Sequence, residues 1–355
     1  MNSVEKIQLP LAAARSVLGR RPARPRRILL TRVQNLGDSV VFLPTIHRVR
    51  AALPDAVIDV LSGTGAGEAV FRMCPAVDGL VKTSWPRKRS RDERLAEIAE
   101  LQQRRYDTVL ISTEETGSAL KMLAAGIPWR VGFGRIEHMG ETHIERRPRL
   151  LNRVLRQIPG WHEVDVNLQL AGALRCPDVP REFPMAPPPD AQKAASGLMA
   201  AEKLEPGRFV CVHAGTKQQV KRWPPAAFAI ACDAAAAAGL RVVFIGTEEE
   251  GPLVQSVRDL MREPSVDLTG RTGVEELTAV FKQAAGFLGN DSGPMHLAAA
   301  CELPVAAVFL ASDPVVWGPY CPDARRRVFD ESCTAPAVAA GLLQIVATCG
   351  EGGVS

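Results

Sequence analysis

None of the eight cysteines, at 74, 176, 211, 232, 301, 321, 333 and 349, forms a C-x-x-C pair. That spacing argues against a zinc site and against a disulfide framework, and it fits reduced thiols. No apolar run reaches the length of a membrane-spanning helix. At the N-terminus Arg15 and Arg20 interrupt the apolar core that a signal peptide needs, so the simplest compartment is the cytoplasm. The formal net charge is only +4, too weak a bias to argue for a nucleic-acid partner. Familiar catalytic fingerprints are missing too. The chain has no G-x-x-x-x-G-K-[ST], no G-x-G-x-x-G, no H-E-x-x-H and no G-x-S-x-G. It also has no D-x-D triplet to hold a divalent cation on a diphosphate. No metal and no cofactor are therefore expected, and any bound anion must be neutralised by side-chain cations and N–H groups.

The rest of the composition is that of a globular protein: 46 % apolar and 23 % charged residues over 355 positions, enough for two domains. Short apolar runs alternate with segments of helical periodicity. Strands are expected at Ile28–Val33, Val57–Leu61, Gly79–Thr83 and Thr108–Ile111, with helices over Ser39–Leu53, Glu68–Cys74 and Arg91–Arg105. Residues 176–190 hold six prolines in fifteen positions, which excludes a helix or a central strand and reads as a linker. The alternation then restarts. Strands are expected at Phe209–His213, Val242–Ile245, Phe287–Leu288 and Val305–Leu310. Helices are expected at Pro225–Ala238, Glu249–Arg262, Val274–Ala285, Pro294–Cys301 and Ala335–Thr348. The pattern predicts an α/β protein with parallel sheets in two halves. The division is a basic leader 1–26, an N-terminal domain 27–175, the linker 176–190, a C-terminal domain 191–330 and a last helical segment 331–355. In the leader, Lys6 and several Arg interleave with Leu9, Leu11, Val17 and Leu18. It reads either as a disordered solvated tail or as a segment for an anionic membrane surface, at about 1 kcal/mol per cation.

In such folds ligands bind beyond the carboxyl ends of strands, and four polar loops stand there. Asn35-Leu36-Gly37-Asp38-Ser39 presents a carboxylate at a strand–helix junction. Asp38 is either a helix cap or a general base facing a cleft. His213-Ala214-Gly215-Thr216 leads to Lys217 and Lys221-Arg222-Trp223-Pro224. It reads as a glycine turn whose amides and lysines suit phosphate oxygens, or as a solvated loop. In Gly246-Thr247-Glu248-Glu249-Glu250 the later acids complement a helix dipole. Glu248, nearest the strand, is placed to accept bonds from ribose hydroxyls. Last, Asn290-Asp291-Ser292-Gly293-Pro294 with His296 one turn on is far more polar than a plain turn requires. It reads as a cradle in which helix-start amides and Ser292 meet a diphosphate, while Asp291 accepts sugar hydroxyls or fixes the turn.

Two long stretches carry a resemblance. One is R-I-L-L-T-R-V-Q-N-L-G-D-S-V-V-F-L-P-T-I-H-R-V-R-A-A-L-P-D-A. The other is D-L-T-G-R-T-G-V-E-E-L-T-A-V-F-K-Q-A-A-G-F-L-G-N-D-S-G-P-M-H-L-A-A-A, continuing into V-A-A-V-F-L-A-S-D-P-V-V-W-G-P-Y. With the loops between them, from Arg27 to Tyr320, they resemble glycosyltransferase family 9, the ADP-heptose heptosyltransferases of lipopolysaccharide core assembly. The resemblance implies a GT-B fold, two Rossmann-like domains facing across a cleft, with the last helix packing back on the N-terminal domain. It implies an inverting, metal-independent transfer of heptose from ADP-heptose to the hydroxyl of a glycolipid or other glycan acceptor. By the same resemblance Asp38 is the base, Lys221 the diphosphate cation and Glu248 the ribose or adenosine contact. Gly37, Gly215, Thr216, Ser292 and Gly293 line the substrate, Asp291 is the sugar-hydroxyl contact, and His296 follows it on the same helix as a further substrate-binding residue. The Thr216–Lys221 loop is longer than the family's usual form, so Lys217 shares or replaces the role of Lys221. A protein or natural-product acceptor, and a nucleotide-sugar binding protein without catalysis, stand as alternatives. Asp38, Lys221 and Asp291 together count against the latter.

Overall fold

A computed structural model describes residues 19–32, 35–63, 65–83, 90–112, 118–138, 141–144 and 148–351. The reading of the leader over 1–18, the expected strand end at Val33, Thr64 and the end of the last segment at 352–355 lie outside the described residues.

The strands are β1 (Arg27–Thr31), β2 (Val57–Ser62), β3 (Gly79–Lys82), β4 (Thr108–Ile111), β5 (Trp129–Phe133), β6 (Arg135–His138), β7 (Glu141–Ile144) and β8 (Arg153–Leu155), then β9 (Phe209–His213), β10 (Arg241–Phe244), β11 (Ser265–Asp267), β12 (Gly286–Asn290), β13 (Val305–Val308) and β14 (Arg326–Phe329). They form two six-stranded sheets, ordered β3-β2-β1-β4-β5-β8 and β11-β10-β9-β12-β13-β14, plus the hairpin β6-β7. All pairings within the two large sheets are parallel. Both follow the doubly wound order in which the chain winds outward from one central strand and then resumes on its other side. Their strands are near-continuous apolar runs, as sheets covered on both faces require. The α/β reading with two such sheets is borne out.

The chain divides into two compact units. One holds the residues up to 32 with Phe42–Pro159 and Val164–Pro184; the other holds Asn35–Val41, Gly160–Glu163 and everything from Met185. The expected division was linear, whereas the second unit is assembled from three stretches of sequence. Its core gathers Val210, Val212, Phe228, Phe244, Leu288 and Val308, and the last helix, Ala335–Glu351, adds Val338, Leu342 and Ile345. That helix is an integral layer of the second unit. Its apolar face fits the helix Pro225–Ala237 and the sheet beside it. At the other end, residues 19–26 of the expected leader are tied into the first unit. Arg24 pairs with Asp55 at 2.6 Å, the Arg26 N–H donates to Asp107, and the Gly19 carbonyl accepts from Asn152.

Two expected helices are broken. Ser39–Leu53 is instead Leu36–Val40 followed by Leu43–Ala52. Pro44 has no N–H for the Val40 carbonyl and its ring would clash there, so the chain turns at Val41-Phe42. Glu249–Arg262 is a 3₁₀ turn, Glu248–Glu250, and a short helix, Gly251–Arg258, with a proline in its first turn. The proline-rich stretch 176–190 has no regular structure until Pro189 opens the helix Pro189–Ala201. No element is expected over Glu163–Ala173, where V-D-V-N-L-Q-L alternates like a strand. It folds as a helix buried on nearly all sides, with Val164, Val166, Leu168 and Leu170 in the interior.

Candidate active site

In the second unit β9 lies between β10 and β12, at the point where the strand order reverses. The loops leaving these three strands diverge, and the polar residues singled out in the sequence sit on them. Asn290, at the end of β12 and fully buried, ties two loops together. Its Nδ2 donates to the Ala214 carbonyl at 2.7 Å and its Oδ1 accepts from the Trp223 N–H at 3.0 Å. Arg222 closes the same loop by donating to the Thr216 carbonyl at 3.1–3.2 Å. Held this way, Lys221 is turned inward and its Nζ lies 2.5 Å from Asp291 Oδ2, both side chains buried. The Ser312 hydroxyl donates to the same carboxylate oxygen. A buried ion pair persists only when its members are well paired and hydrogen-bonded, and here the added hydroxyl serves that end. Asp291 thus has two donors, one charged and one neutral. Ser312 was not among the sequence candidates; the only signal for it is its place in the polar A-S-D-P stretch after β13.

Asp38 sits on the helix Leu36–Val40, which packs against Gly293–Ala300 in the same unit. The packing is close because both contact points are glycines. A Cβ on Gly37 would stand 2.8 Å from the His296 ring, and one on Gly293 would stand 2.9 Å from Leu36 Cβ. Of the two readings of Asp38, the cap is seen here in a modified form. Asp38 is the third helical residue, not the N-cap, and completes a capping box with Asn35: its Oδ2 accepts from the Asn35 N–H at 3.1 Å and the Asn35 Nδ2 at 3.3 Å. It is also buried beside His296, whose charged form it favours. Burial is the larger effect on that imidazole and holds it below its ordinary value; Asp291 and Asp38 oppose the shift, and Lys221 adds to it. Lys217 donates to the Asn35 side chain, so the first lysine of the loop reaches the Asp38 cap while the second, Lys221, reaches Asp291.

The structure thus brings together Gly37, Asp38, Gly215, Thr216, Lys217, Lys221, Asp291, Ser292, Gly293 and His296. Glu248 does not join them in the same way: its side chain is exposed and its Cβ lies over Gly270. The acid of that loop that reaches the other residues is Glu250, which the helix-dipole argument had absorbed. Its Oε2 is 3.2 Å from His213 Nε2 and accepts the Thr247 N–H at 2.8 Å. Burial alone would raise its pKa, but the His213 hydrogen bond and charge and the Thr247 bonds outweigh it and hold the carboxyl below its ordinary value. The other His213 nitrogen, Nδ1, is 3.0 Å from Ser292 Oγ. Ser292 is the N-cap of Gly293–Ala300, yet its hydroxyl does not cap the helix. In this first turn Pro294 has no N–H and the Met295 N–H donates to the Ser292 carbonyl at 3.2 Å, which leaves the Ser292 and Gly293 amides at the positive end of the helix dipole. Together with Lys221 they suit a diphosphate. Among the described residues no group of three or more His, Cys, Asp or Glu is arranged to hold a metal ion.

A model of glycosyltransferase family 9 (heptosyltransferase) matches residues 94–342, more than half of the chain. Lipopolysaccharide heptosyltransferase 3 of Escherichia coli is 26 % identical over 294 residues, covering 80 % of this chain and 83 % of that one. Among solved structures, the ADP-heptose lps heptosyltransferase II of E. coli superposes with a TM-score of 0.76 at 20 % identity, covering 92 % of this chain and 99 % of that one. A glycosyl transferase family 9 protein from Veillonella parvula does so with a TM-score of 0.75 at 21 % identity, covering 88 % and 87 %. These two likenesses are likenesses of fold.

Proposed function

We propose, from the premise that the chain belongs to glycosyltransferase family 9 and is a glycosyltransferase, that it transfers heptose from ADP-heptose to an acceptor hydroxyl in lipopolysaccharide core synthesis. The donor follows the E. coli ADP-heptose enzyme of the same fold and the acceptor class follows lipopolysaccharide heptosyltransferase 3. The observation that carries the reading is the buried Lys221–Asp291 pair beside the start of Gly293–Ala300, with Asp38 on the helix packed against it.

The chemistry is an inverting single displacement. Asp38 takes the proton of the acceptor hydroxyl as that oxygen attacks the anomeric carbon, and the bond to the diphosphate breaks on the opposite face. Positive charge grows on the sugar and negative charge on the departing ADP. Lys221, the Ser292-Gly293 amides and Thr216 meet that negative charge, with Lys217 as a second cation, so that no metal is needed. One such donor is worth about 10²–10³ in rate. Lys221 can turn to the diphosphate without stranding Asp291, because the carboxylate keeps the Ser312 hydroxyl. Asp291 and His296 face the sugar, and Gly37 and Gly215 keep the backbone close to the ligand. Glu248, exposed at the end of β10, meets the ribose. The basic leader favours attachment at the inner face of an anionic membrane, where a lipid-linked acceptor is found. No helix among the described residues is long and apolar enough to cross one.

Calorimetric titration with ADP, GDP and UDP in the presence of EDTA tests the reading. ADP is expected to bind selectively without metal. Equal binding of all three, or a metal requirement, would overturn the donor assignment.

A further inference from the structure

His213 and Glu250, which the transfer reaction does not itself use, are joined by hydrogen bonds to the Ser292 hydroxyl at the phosphate site. We propose that His213 takes up one proton when the diphosphate of the nucleotide binds at Ser292, and that Glu250 is the positioning residue that holds the resulting imidazolium. The proposal rests on the ADP reading above and adds a proton to it.

The argument starts from donor and acceptor inventories. An ionised carboxylate only accepts hydrogen bonds. Glu250 lies 3.2 Å from His213 Nε2, so Nε2 carries a hydrogen in either charge state of the ring. What varies is Nδ1, 3.0 Å from Ser292 Oγ. In the neutral ring Nδ1 is an acceptor. Ser292 must then point its O–H inward, and only oxygen lone pairs face outward at the helix start. Those lone pairs repel phosphate oxygens. In the imidazolium Nδ1–H donates to Ser292 Oγ, and the serine proton is released to donate outward. A diphosphate therefore selects the imidazolium. The balance is one proton from solvent to Nδ1, while the serine keeps its own proton and reorients, and no covalent bond of the ligand changes. Positive charge is thereby delivered to the anion through one neutral hydroxyl.

The loops are shaped around this carboxylate. A Cβ on Gly215 would lie 1.8 Å from Glu250 Oε1, and one on Gly246 would lie 2.8 Å from Oε2. Two glycines, at the ends of β9 and β10, leave the space that Glu250 fills. His213 itself is only 4 % exposed, so its charge is not dissipated into water. The other ionisable groups described on the elements around it are Asp291 and Lys221, paired with one another, His296 one turn into the helix with Asp38 beside it, Lys217 on Asn35, Arg222 on the Thr216 carbonyl, and the exposed Glu248 and Glu249.

The test is calorimetric titration of ADP into the protein from pH 7 to 9, at each pH in two buffers of different ionisation enthalpy. Over most of this range the terminal phosphate of ADP, with a second pKa near 6, is already ionised. The difference between buffers reads protons taken up per ADP bound. The wild type is expected to take up a fraction rising toward about one proton. Its affinity is expected to strengthen as pH falls, at most about tenfold per pH unit. His213→Asn keeps a partner for Ser292 but cannot titrate, and should bind ADP with no buffer dependence. Glu250→Gln removes the charge that holds the imidazolium, and should shift the uptake to lower pH. Heat of binding with no buffer dependence at any pH in the wild type overturns the proposal, whatever the variants do. Uptake unchanged in His213→Asn also overturns it. Absence of any ADP heat in the wild type is a different result, and takes down the donor reading together with the proposal.

Discussion

At the residue scale, Asp38 puts two demands on one carboxylate. It closes the capping box on Asn35 and it lies buried beside His296. Asp38→Asn keeps an oxygen for the cap while removing the base, so it separates the two. It should lower kcat by about 10²–10⁴ and leave ADP affinity and the unfolding midpoint close to wild type. Wild-type turnover in that variant would remove Asp38 from the chemistry. In Asp38→Ala, which removes the cap as well, a loss of stability near the ~1 kcal/mol of a missing cap with unchanged kcat would make it a capping residue only. The sequence shows both uses and cannot choose, because Asp at a strand–helix junction suits either. The run Glu248-Glu249-Glu250 poses the same problem. Three identical side chains differ only in where the 3₁₀ turn points them, and Glu250, the last, is the one that turns inward to His213.

At the scale of elements, a five-residue helix such as Leu36–Val40 has no stability of its own. It exists because Gly37 and Gly293 let it lie against Gly293–Ala300. Gly37→Ala would drive a methyl to 2.8 Å from the His296 ring and 3.4 Å from the Gly293 Cα. Overpacking of this kind costs about 1–3 kcal/mol, and it displaces the element that carries Asp38. The expectation is a large loss of kcat in steady-state assays, with ADP affinity changed only a few-fold. Full activity in Gly37→Ala would mean that the helix can shift without consequence for the base. The resemblance treats both glycines as substrate contacts. Their role in helix–helix contact is invisible in sequence, since it depends on two segments more than two hundred positions apart.

At the scale of the whole molecule, the last helix is a structural layer of the second unit. Leu342 is fully buried against the core, and Gly286, opening β12, is a glycine because a Cβ there would stand 2.7 Å from Val346 and 3.5 Å from Leu342. The helix therefore braces the strand that ends in Asn290 and Asp291. Leu342→Ala should destabilise the protein by about 2–5 kcal/mol, measured by urea unfolding, with ADP bound normally below the transition. A midpoint like that of wild type would show that the helix contributes little to this core.

Local pattern alone determined the alternation of strands and helices and the parallel α/β class, and the resemblance of two long stretches pointed to the family. Local pattern also determined the four polar loops, because apolar periodicity and turn chemistry are properties of neighbouring residues. The helix Glu163–Ala173 went unread by the same rule, since a helix buried on nearly all sides has little polar face to reveal it. Only the tertiary structure decided which of those loops meet. It gave Lys221 to Asp291 and Lys217 to Asn35, admitted Ser312, joined Glu250 through His213 to Ser292, and placed Asn35–Val41 in the second unit. Each of these depends on a distance between residues remote in the chain. Such distances are fixed by strand order, by the space glycines leave and by the pairing of buried charge, none of which has a local signature.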